Sequence, residues 1–162
     1  MKIHLGKLRI SSPSFSHGER IPDRHAVGEK PTSLPLAWSD TPGGTQSYAF
    51  VVHDPDAPLT YGFTHWVLYG IPASTTGIAE GGGDGFVQGL NGRGGHEYVP
   101  PAPPPGHGDH FCYFNLYALD ENLDLPPGLN RAALLERIDD HIIEQARIVG
   151  TYGNLTREAW QH

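Results

Sequence analysis

The sequence predicts a mainly-β fold, a Greek-key antiparallel β-sandwich with one helix near its C-terminus, in a chain of 162 residues. The first observation is composition: 21 glycines and 15 prolines exceed average use and favour short strands with structured loops. The second is order, because strand-like runs separated by turn residues come first and one helical pattern comes late. A chain of this length is close to the commonest domain size, so we expect a single domain over 1–162.

Four strands are predicted from runs of apolar, β-branched and aromatic residues: Ile3–Ile10, Ser47–His53, Thr64–Ile71 and Phe111–Leu119. The last of these is apolar on both of its faces, with aromatic side chains on each. Such a pattern is typical of a central strand that is buried from both directions.

The helix is predicted to run from about Arg131 to Val149. Asn130 is a suitable N-cap, and Gly150 stands where a glycine commonly follows a helix. An apolar stripe supports the helix, and it consists of Leu134, Leu135, Ile138, Ile142 and Ala146. We expect this helix to pack against an edge of the sandwich.

Charge and cysteine content restrict the partners. The formal net charge of −7 argues against a general nucleic-acid or anionic-membrane surface, so an anionic ligand would need a local pocket. No apolar run is long enough to span a bilayer, and the N-terminal residues lack the pattern of a secretory signal. Cys112 is the single cysteine, which indicates a reducing compartment, and we expect a cytoplasmic location.

The segment Asp54-Pro55-Asp56-Ala57-Pro58 begins where a predicted strand ends, and His65-Trp66 follows it closely. Proline fixes φ, lacks a backbone donor and holds the preceding residue in an extended conformation. The segment therefore predicts a stiff surface loop that aims its two carboxylates at a fixed place. Taken alone, it favours the simpler interpretation of a turn in which Asp and Pro serve only turn chemistry.

A second segment is rich in proline and precedes the aromatic strand. Prolines fill five of the six positions from 100 to 105, which predicts an extended, polyproline-like conformation. His107 and His110 follow, separated by Gly108 and Asp109. A rigid spacer between domains would share this composition, but strands of one predicted domain flank the segment closely.

Together these segments resemble the phosphatidylethanolamine-binding protein family, in its bacterial and archaeal, Raf-kinase-inhibitor-like branch. The resemblance extends over nearly the whole chain, and several motifs in the right order are far more specific than any one of them. The motifs that carry it are Glu19-Arg20-Ile21-Pro22-Asp23-Arg24-His25, Leu34-Pro35-Leu36-Ala37-Trp38, Asp54 to Pro58, His65-Trp66-Val67, Pro103 through Asp120, and Val149-Gly150-Thr151-Tyr152-Gly153.

The resemblance implies a small anion-binding pocket. Its expected walls are Asp54, His65, Ala102, Pro103, Pro104 and His110, and further candidates for its lining are Asp56, Tyr98 and Cys112. Imidazolium groups would supply positive charge and donors to the anion. We expect Asp54 to accept a hydrogen bond from one ring nitrogen of His65 and to orient it, while Asp56 braces the loop.

Two departures from the family pattern are visible. The chain has His110-Phe111-Cys112 where the family usually has His-Arg-Tyr, so a tyrosine hydroxyl is lost. Pro100-Pro101 stand where glycines are usual, which removes backbone donors. The pocket is therefore expected to be narrower or differently tuned. In the alternative interpretation, His65 and His110 bond only to neighbouring backbone within the core.

Three functions follow as hypotheses. The first is non-enzymatic binding of a phosphate-type or other small anion, with no cofactor or metal, by a monomer or homodimer. The second is regulation of a protein partner, such as a kinase or a protease, in which the pocket is secondary. The third is a metal-dependent enzyme that uses Asp54, His65 and His110 as ligands. No motif in the sequence supports this third hypothesis.

Overall fold

The computed structural model describes residues 5–27, 29–103 and 108–153. The strands are β1 (Arg9–Ser11), β2 (Leu36–Ser39), β3 (Ser47–Asp54), β4 (Phe63–Pro72), β5 (Gly77–Ile78), β6 (Val87–Gln88), β7 (His110–Leu119) and β8 (Ile142–Tyr152), and one α-helix, α1 (Arg131–Ile138), precedes β8. Within the described residues they form a small sheet in the order β1-β2-β5 and a large sheet in the order β6-β4-β3-β7-β8. All pairs are antiparallel, so the predicted mainly-β fold is confirmed.

Apolar side chains cover both faces of the large sheet. Alternate residues of β3 and β7, among them Phe50 and Phe114, belong to the main core together with Trp38 of the small sheet. Residues of opposite parity, such as Val51, pack with Leu134 of α1 in a second cluster. This arrangement follows from the twofold periodicity of strands, which sends neighbouring side chains to opposite faces.

The predictions for three strands agree closely with β3, β4 and β7, whereas the first predicted strand, Ile3–Ile10, is wrong in its extent. Its first two residues lie outside the described part of the chain, and residues 5–8 are not in a strand. The reason is pairing: the Leu8 N–H donates to the Glu144 carboxylate (3.0 Å), and β2 offers only four residues as a partner. The strand therefore begins at Arg9.

β7 is an interior strand, as predicted, because β3 and β8 flank it on both sides. Burial differs between its faces, however. Cys112 and the alternate residues after it are buried, whereas Tyr113 and Tyr117 are half-buried and Phe111 is 44% exposed. The helix that covers the second face is only eight residues long and leaves the start of β7 open.

The predicted helix begins where expected and ends eleven residues early. The Asn130 side chain accepts a hydrogen bond from the Ala133 N–H (2.8 Å), which confirms the N-cap. After Ile138 the chain forms one 3₁₀ turn and then continues as β8. Ile138, Ile142 and Ala146 are four residues apart, a spacing that fits a helix and also the twofold period of a strand, so the stripe alone could not separate the two.

Gly150 does not follow a helix, contrary to the prediction, and lies inside β8. A β-carbon at this position would be 2.6 Å from Ile21 and 2.8 Å from Phe15, so the absence of a side chain allows the 14–22 segment to pack on the strand. No described helix has the length and apolar character that crossing a membrane requires.

Gly62 closes the loop between β3 and β4. Its φ of +73° is in the left-handed region, and a β-carbon there would collide with the Asp54 carbonyl oxygen and approach Nε2 of His53 to 2.9 Å. The loop is therefore folded tightly against the end of β3, which fixes the position of the Asp54 side chain.

Candidate functional site

A cavity of about 280 Å³ lies at the end of the large sheet, where β3 ends and β4 and β7 begin. We call it the anion cavity, after the ligand that the sequence analysis predicts for it. Its walls come from the ends of these three strands, from the 57–59 loop, from the loop that carries Arg93 and from the proline-rich segment. They comprise Asp54, Ala57, Pro58, Leu59, Phe63, His65, Arg93, Val99, Pro100, Pro101, Ala102, Pro103 and His110.

The last residue of β3 and the first of β7 form a buried pair in this cavity. Nδ1 of His110 donates to Oδ2 of Asp54 over 2.7 Å, and both side chains are almost fully buried. The second carboxyl oxygen of Asp54 accepts the Asp56 N–H (2.7 Å), a local turn that the flanking prolines favour. Both oxygens of Asp54 are thus engaged, and the carboxylate holds the His110 ring in place.

The prediction that Asp54 accepts a hydrogen bond from His65 is wrong. His65 lies on β4, and its Nδ1 donates instead to the Val99 carbonyl oxygen over 2.7 Å. The Val99 N–H in turn donates to the His65 carbonyl oxygen (2.9 Å). The proline-rich segment is therefore attached to β4 by reciprocal bonds, and Nδ1 of His65 bonds to Val99 and not to the carboxylate.

Among the described residues, the other ring nitrogen of His65 has no partner. Nε2 is a buried atom without a hydrogen bond, on a residue that lines the anion cavity. Because a carbonyl oxygen can only accept, the proton of the neutral ring is on Nδ1, and Nε2 presents a lone pair. Burial, together with the positive charge of Arg93, lowers the pKa of His65. The ring is consequently neutral at neutral pH, and Phe63 packs edge-on against it at 5.0 Å.

The proline-rich segment supplies the facing wall. Pro100, Pro101, Ala102 and Pro103 line the cavity, and proline contributes no N–H. Polar contacts in the cavity therefore come chiefly from its charged and histidine side chains. Pro104, a predicted wall residue, and His107 lie outside the described residues.

Arg93 is a cavity residue that the sequence interpretation missed. It is exposed, and it lies on a glycine-rich loop that Asn91 folds by accepting the N–H groups of Arg93 (2.8 Å) and Gly95 (3.0 Å). An asparagine two residues before a cation, among glycines, is a signal for a turn that presents the side chain. Arg93 lies only five residues before Tyr98, but none of the motifs that predicted the pocket includes it.

The three further lining candidates lie outside the cavity walls. Asp56 accepts the Phe111 N–H (3.0 Å), so it braces the loop against β7, as expected. The Tyr98 hydroxyl donates to the His25 carbonyl oxygen (2.8 Å) and anchors its segment. Cys112 belongs to the main core, where burial raises the pKa of its thiol well above the ordinary range.

Among the described residues, one group of three side chains brings ligand atoms close enough to hold a metal ion, and it consists of Asp120, Glu121 and His141. Asp54, His65 and His110 are not such a group. The three clustered side chains are largely exposed, and Nδ1 of His141 is already bonded to Asp120 (3.0 Å).

Comparison with known proteins identifies the family. The family model described as phosphatidylethanolamine-binding protein matches residues 11–153. The chain belongs to this family. A UPF0098 protein of Aquifex aeolicus is 39% identical over 151 residues, which cover 90% of this chain and 88% of that protein.

Two solved structures agree with this assignment. A phosphatidylethanolamine-binding protein homologue from Chlamydia trachomatis is 36% identical, with a TM-score of 0.85 over 91% of this chain and 97% of that one. YbcL of E. coli, described as a member of the mammalian family, is 29% identical, with a TM-score of 0.83 over 92% of this chain and 99% of that one. The predicted family and fold are therefore confirmed, while the Raf-kinase-inhibitor-like branch stays a prediction.

Proposed function

We propose that this family member binds a small phosphate-type anion in the anion cavity and does so without catalysing a reaction. The observation that carries the proposal is the unpartnered Nε2 of His65 beside the buried Asp54–His110 pair. A buried polar atom without a partner costs about 1–3 kcal/mol, which a bound ligand would recover. A concave, largely apolar cavity with a few convergent polar groups is the usual form of a small-ligand site.

The protonation of His65 specifies what the ligand must bring. A neutral ring with its proton on Nδ1 presents an acceptor to the cavity, so a fully deprotonated anion would face a lone pair. The acid oxygen of a monoprotonated phosphate can donate to Nε2 instead, while the guanidinium of Arg93 at the rim attracts the remaining charge. The sequence analysis expected both histidines to bind the anion as imidazolium. For His65 we propose instead that the neutral ring accepts, at Nε2, the proton of the phosphate.

Calorimetric titration with phosphoethanolamine, a phosphomonoester, tests the proposal. Binding should take up a proton above the second pKa of the ester, about 6, and affinity should fall as the pH rises. A phosphodiester has no acid oxygen near neutral pH and should bind more weakly. The size of the proton uptake follows from measurements in two buffers of different ionisation enthalpy.

The matched variants are His65→Asn and His141→Gln. Asparagine retains a donor close to Val99 but places no acceptor at the position of Nε2, so phosphoethanolamine affinity should fall about tenfold or more. His141 lies away from the cavity, and its variant should bind as the parent does. Equal affinity of His65→Asn and the parent, or no binding by the parent, would refute the proposal.

Modulation of a protein partner, a kinase or a protease, is the second candidate function. It is favoured by two large apolar side chains on the loop beside the cavity, Leu59 (59% exposed) and Tyr61 (86% exposed). Inhibition of a kinase or protease panel by the parent, lost in the Leu59→Ser/Tyr61→Ser variant, would support it. A cytoplasmic location is part of this proposal, and cell fractionation tests it.

A further inference from the structure

A second cavity, of about 220 Å³, lies on the opposite face of the large sheet. We call it the arginine groove, and its walls are His53, Pro55, Tyr113, Asn115, Arg131 and Arg147. In the sheet, His53 pairs with Tyr113 and Asn115 pairs with Arg147, so these side chains share one face. Asp54, the next residue after His53, points into the anion cavity on the other face.

Arg147 is held in a defined position. Its Nε donates to the buried Asn115 side chain over 2.8 Å, and its guanidinium lies over the Tyr113 ring at 5.0 Å from the centroid. These contacts fix the plane of the guanidinium and reduce the rotamer freedom that binding would otherwise remove. The terminal N–H groups remain available to an acceptor.

Arg131 stands across the groove as the first residue of α1. No acidic residue occupies the first turn of this helix, whose N-terminal end already carries partial positive charge. The charge of Arg131 acts on His53 within the groove. The pKa of His53 is lowered to about 4, mainly by burial and secondly by the charge of Arg131. The positive charge at this end of the groove is thus left uncompensated by the helix itself.

The walls of the groove carry no negative charge. No Asp or Glu is among the groove walls, and neither arginine forms an ion pair with a carboxylate in the described ranges 5–27, 29–103 and 108–153. The chain as a whole has 18 acidic residues and 11 lysines and arginines. Two arginines without a described carboxylate partner thus line one cavity of a protein whose net charge is negative. An external anion would neutralise their charge.

We propose that the arginine groove is a second binding site, for the tetrahedral dianion of a small phosphate monoester held between Arg131 and Arg147. Guanidinium groups match such oxyanions with parallel N–H···O bonds, and two of them favour a dianion over a monoanion.

The neighbouring cavity could take the rest of the ester. It measures about 450 Å³ and shares His53 and Arg131 with the groove, and no Asp or Glu is among its described walls. Tyr61, Asn91 and Asn130 are among the side chains that line it. The Tyr61 ring suits an uncharged organic body, whereas the side-chain oxygens of Asn91 and Asn130 already accept backbone N–H groups of their own turns.

Sulfate is the first probe, because it stays dianionic over the pH range in which His53 titrates and carries no acid proton for His65. Histidine-ring NMR should show that saturating sulfate raises the pKa of His53, since the bound charge offsets that of Arg131. The measurement is made at about 0.15 M ionic strength, where weak surface attraction is largely screened. Acetate, a monoanion, should bind at least about tenfold more weakly, and equal binding would refute a clamp of two arginines.

The variants Arg131→Gln and Arg147→Gln should each weaken sulfate binding about tenfold or more. Arg137→Gln is the matched control, because Arg137 lies on the same helix, is exposed and lines neither cavity. His65→Asn should leave sulfate binding intact, which separates this site from the anion cavity. The proposal is overturned if sulfate does not shift His53, or if the two groove variants bind as tightly as the control.

Discussion

The anion cavity and the arginine groove lie back to back on one sheet and differ in how their polar groups are satisfied. In the cavity, Asp54 and His110 are buried and bonded to each other, so the site is part of the folded core. In the groove, Arg131 is half-buried and Arg147 exposed, and neither has a described carboxylate partner. Changes in the cavity should therefore alter stability together with binding, whereas changes to the two groove arginines should alter chiefly binding.

The largest expected effect follows from removing Asp54. In Asp54→Ala, the Nδ1–H of His110 and the N–H of Asp56 lose their acceptor inside the structure, and the free energy of unfolding should fall by about 3 kcal/mol. Urea unfolding measures the change. Asp56→Ala, on the same loop but exposed, should cost about 1 kcal/mol, and a similar loss in both variants would contradict the distinction.

Gly62 should couple the two regions, because a β-carbon there meets both the Asp54 carbonyl and the His53 ring. We expect Gly62→Ala to destabilise the protein by about 1–3 kcal/mol, through its positive φ and this collision. Gly43→Ala is the control, since Gly43 has open space around it and should change stability by less than about 0.5 kcal/mol. The same urea experiment would count against this account if the two variants were equally stable.

The pH dependence of stability should be smaller but should involve both regions. The pKa values of His53 (about 4) and His65 are lower in the folded protein than their usual value of about 6.5. Each therefore contributes stability that is complete above about pH 6.5 and is lost as the pH falls towards the folded pKa. Unfolding midpoints should decrease from neutral pH to about pH 5, less steeply in His53→Gln, and an unchanged slope in that variant would exclude His53 as a source.

The smallest effect on stability is expected in the groove. Arg147→Gln removes an exposed charge and its hydrogen bond to Asn115, and the free energy of unfolding should fall by about 0.5–1 kcal/mol. Sulfate affinity should nevertheless fall. A loss of more than about 1 kcal/mol in the free energy of unfolding would show that Arg147, like Asp54, stabilises the fold, and it would contradict the contrast between the two regions.

Local sequence signals predicted the parts of the fold that depend on one segment at a time. The buried strand ending at Asp54 and the N-cap at Asn130 are examples, because apolar patterning and capping act over a few residues. The end of α1 was not predictable in this way, since pairing of 142–152 with β7 outweighs a stripe that fits either period. Tertiary pairing therefore decided between helix and strand.

In the candidate site, too, some features were predictable from local motifs and others depend on the tertiary fold. The family motifs brought Asp54, His65 and His110 into the predicted pocket, and all three line one cavity. The motifs do not determine which histidine contacts the carboxylate. That choice depends on the direction of β4 and on the position of the Val99 carbonyl group. Arg93 lies in none of the motifs, and although the Asn91 turn marks its loop, only the fold shows that its side chain reaches the cavity.

The most direct test of the central claim is the protonation of the His65 ring, read from ¹⁵N NMR at neutral pH with and without phosphoethanolamine. We predict that Nδ1 of the free protein carries the proton and that Nε2 is bare. On saturation, the Nε2 signal should move as that atom accepts or acquires a proton, and His110 should shift with it. An Nε2 that is already protonated in the free protein, or ring signals of His65 and His110 that do not respond to saturating ligand, would contradict the account.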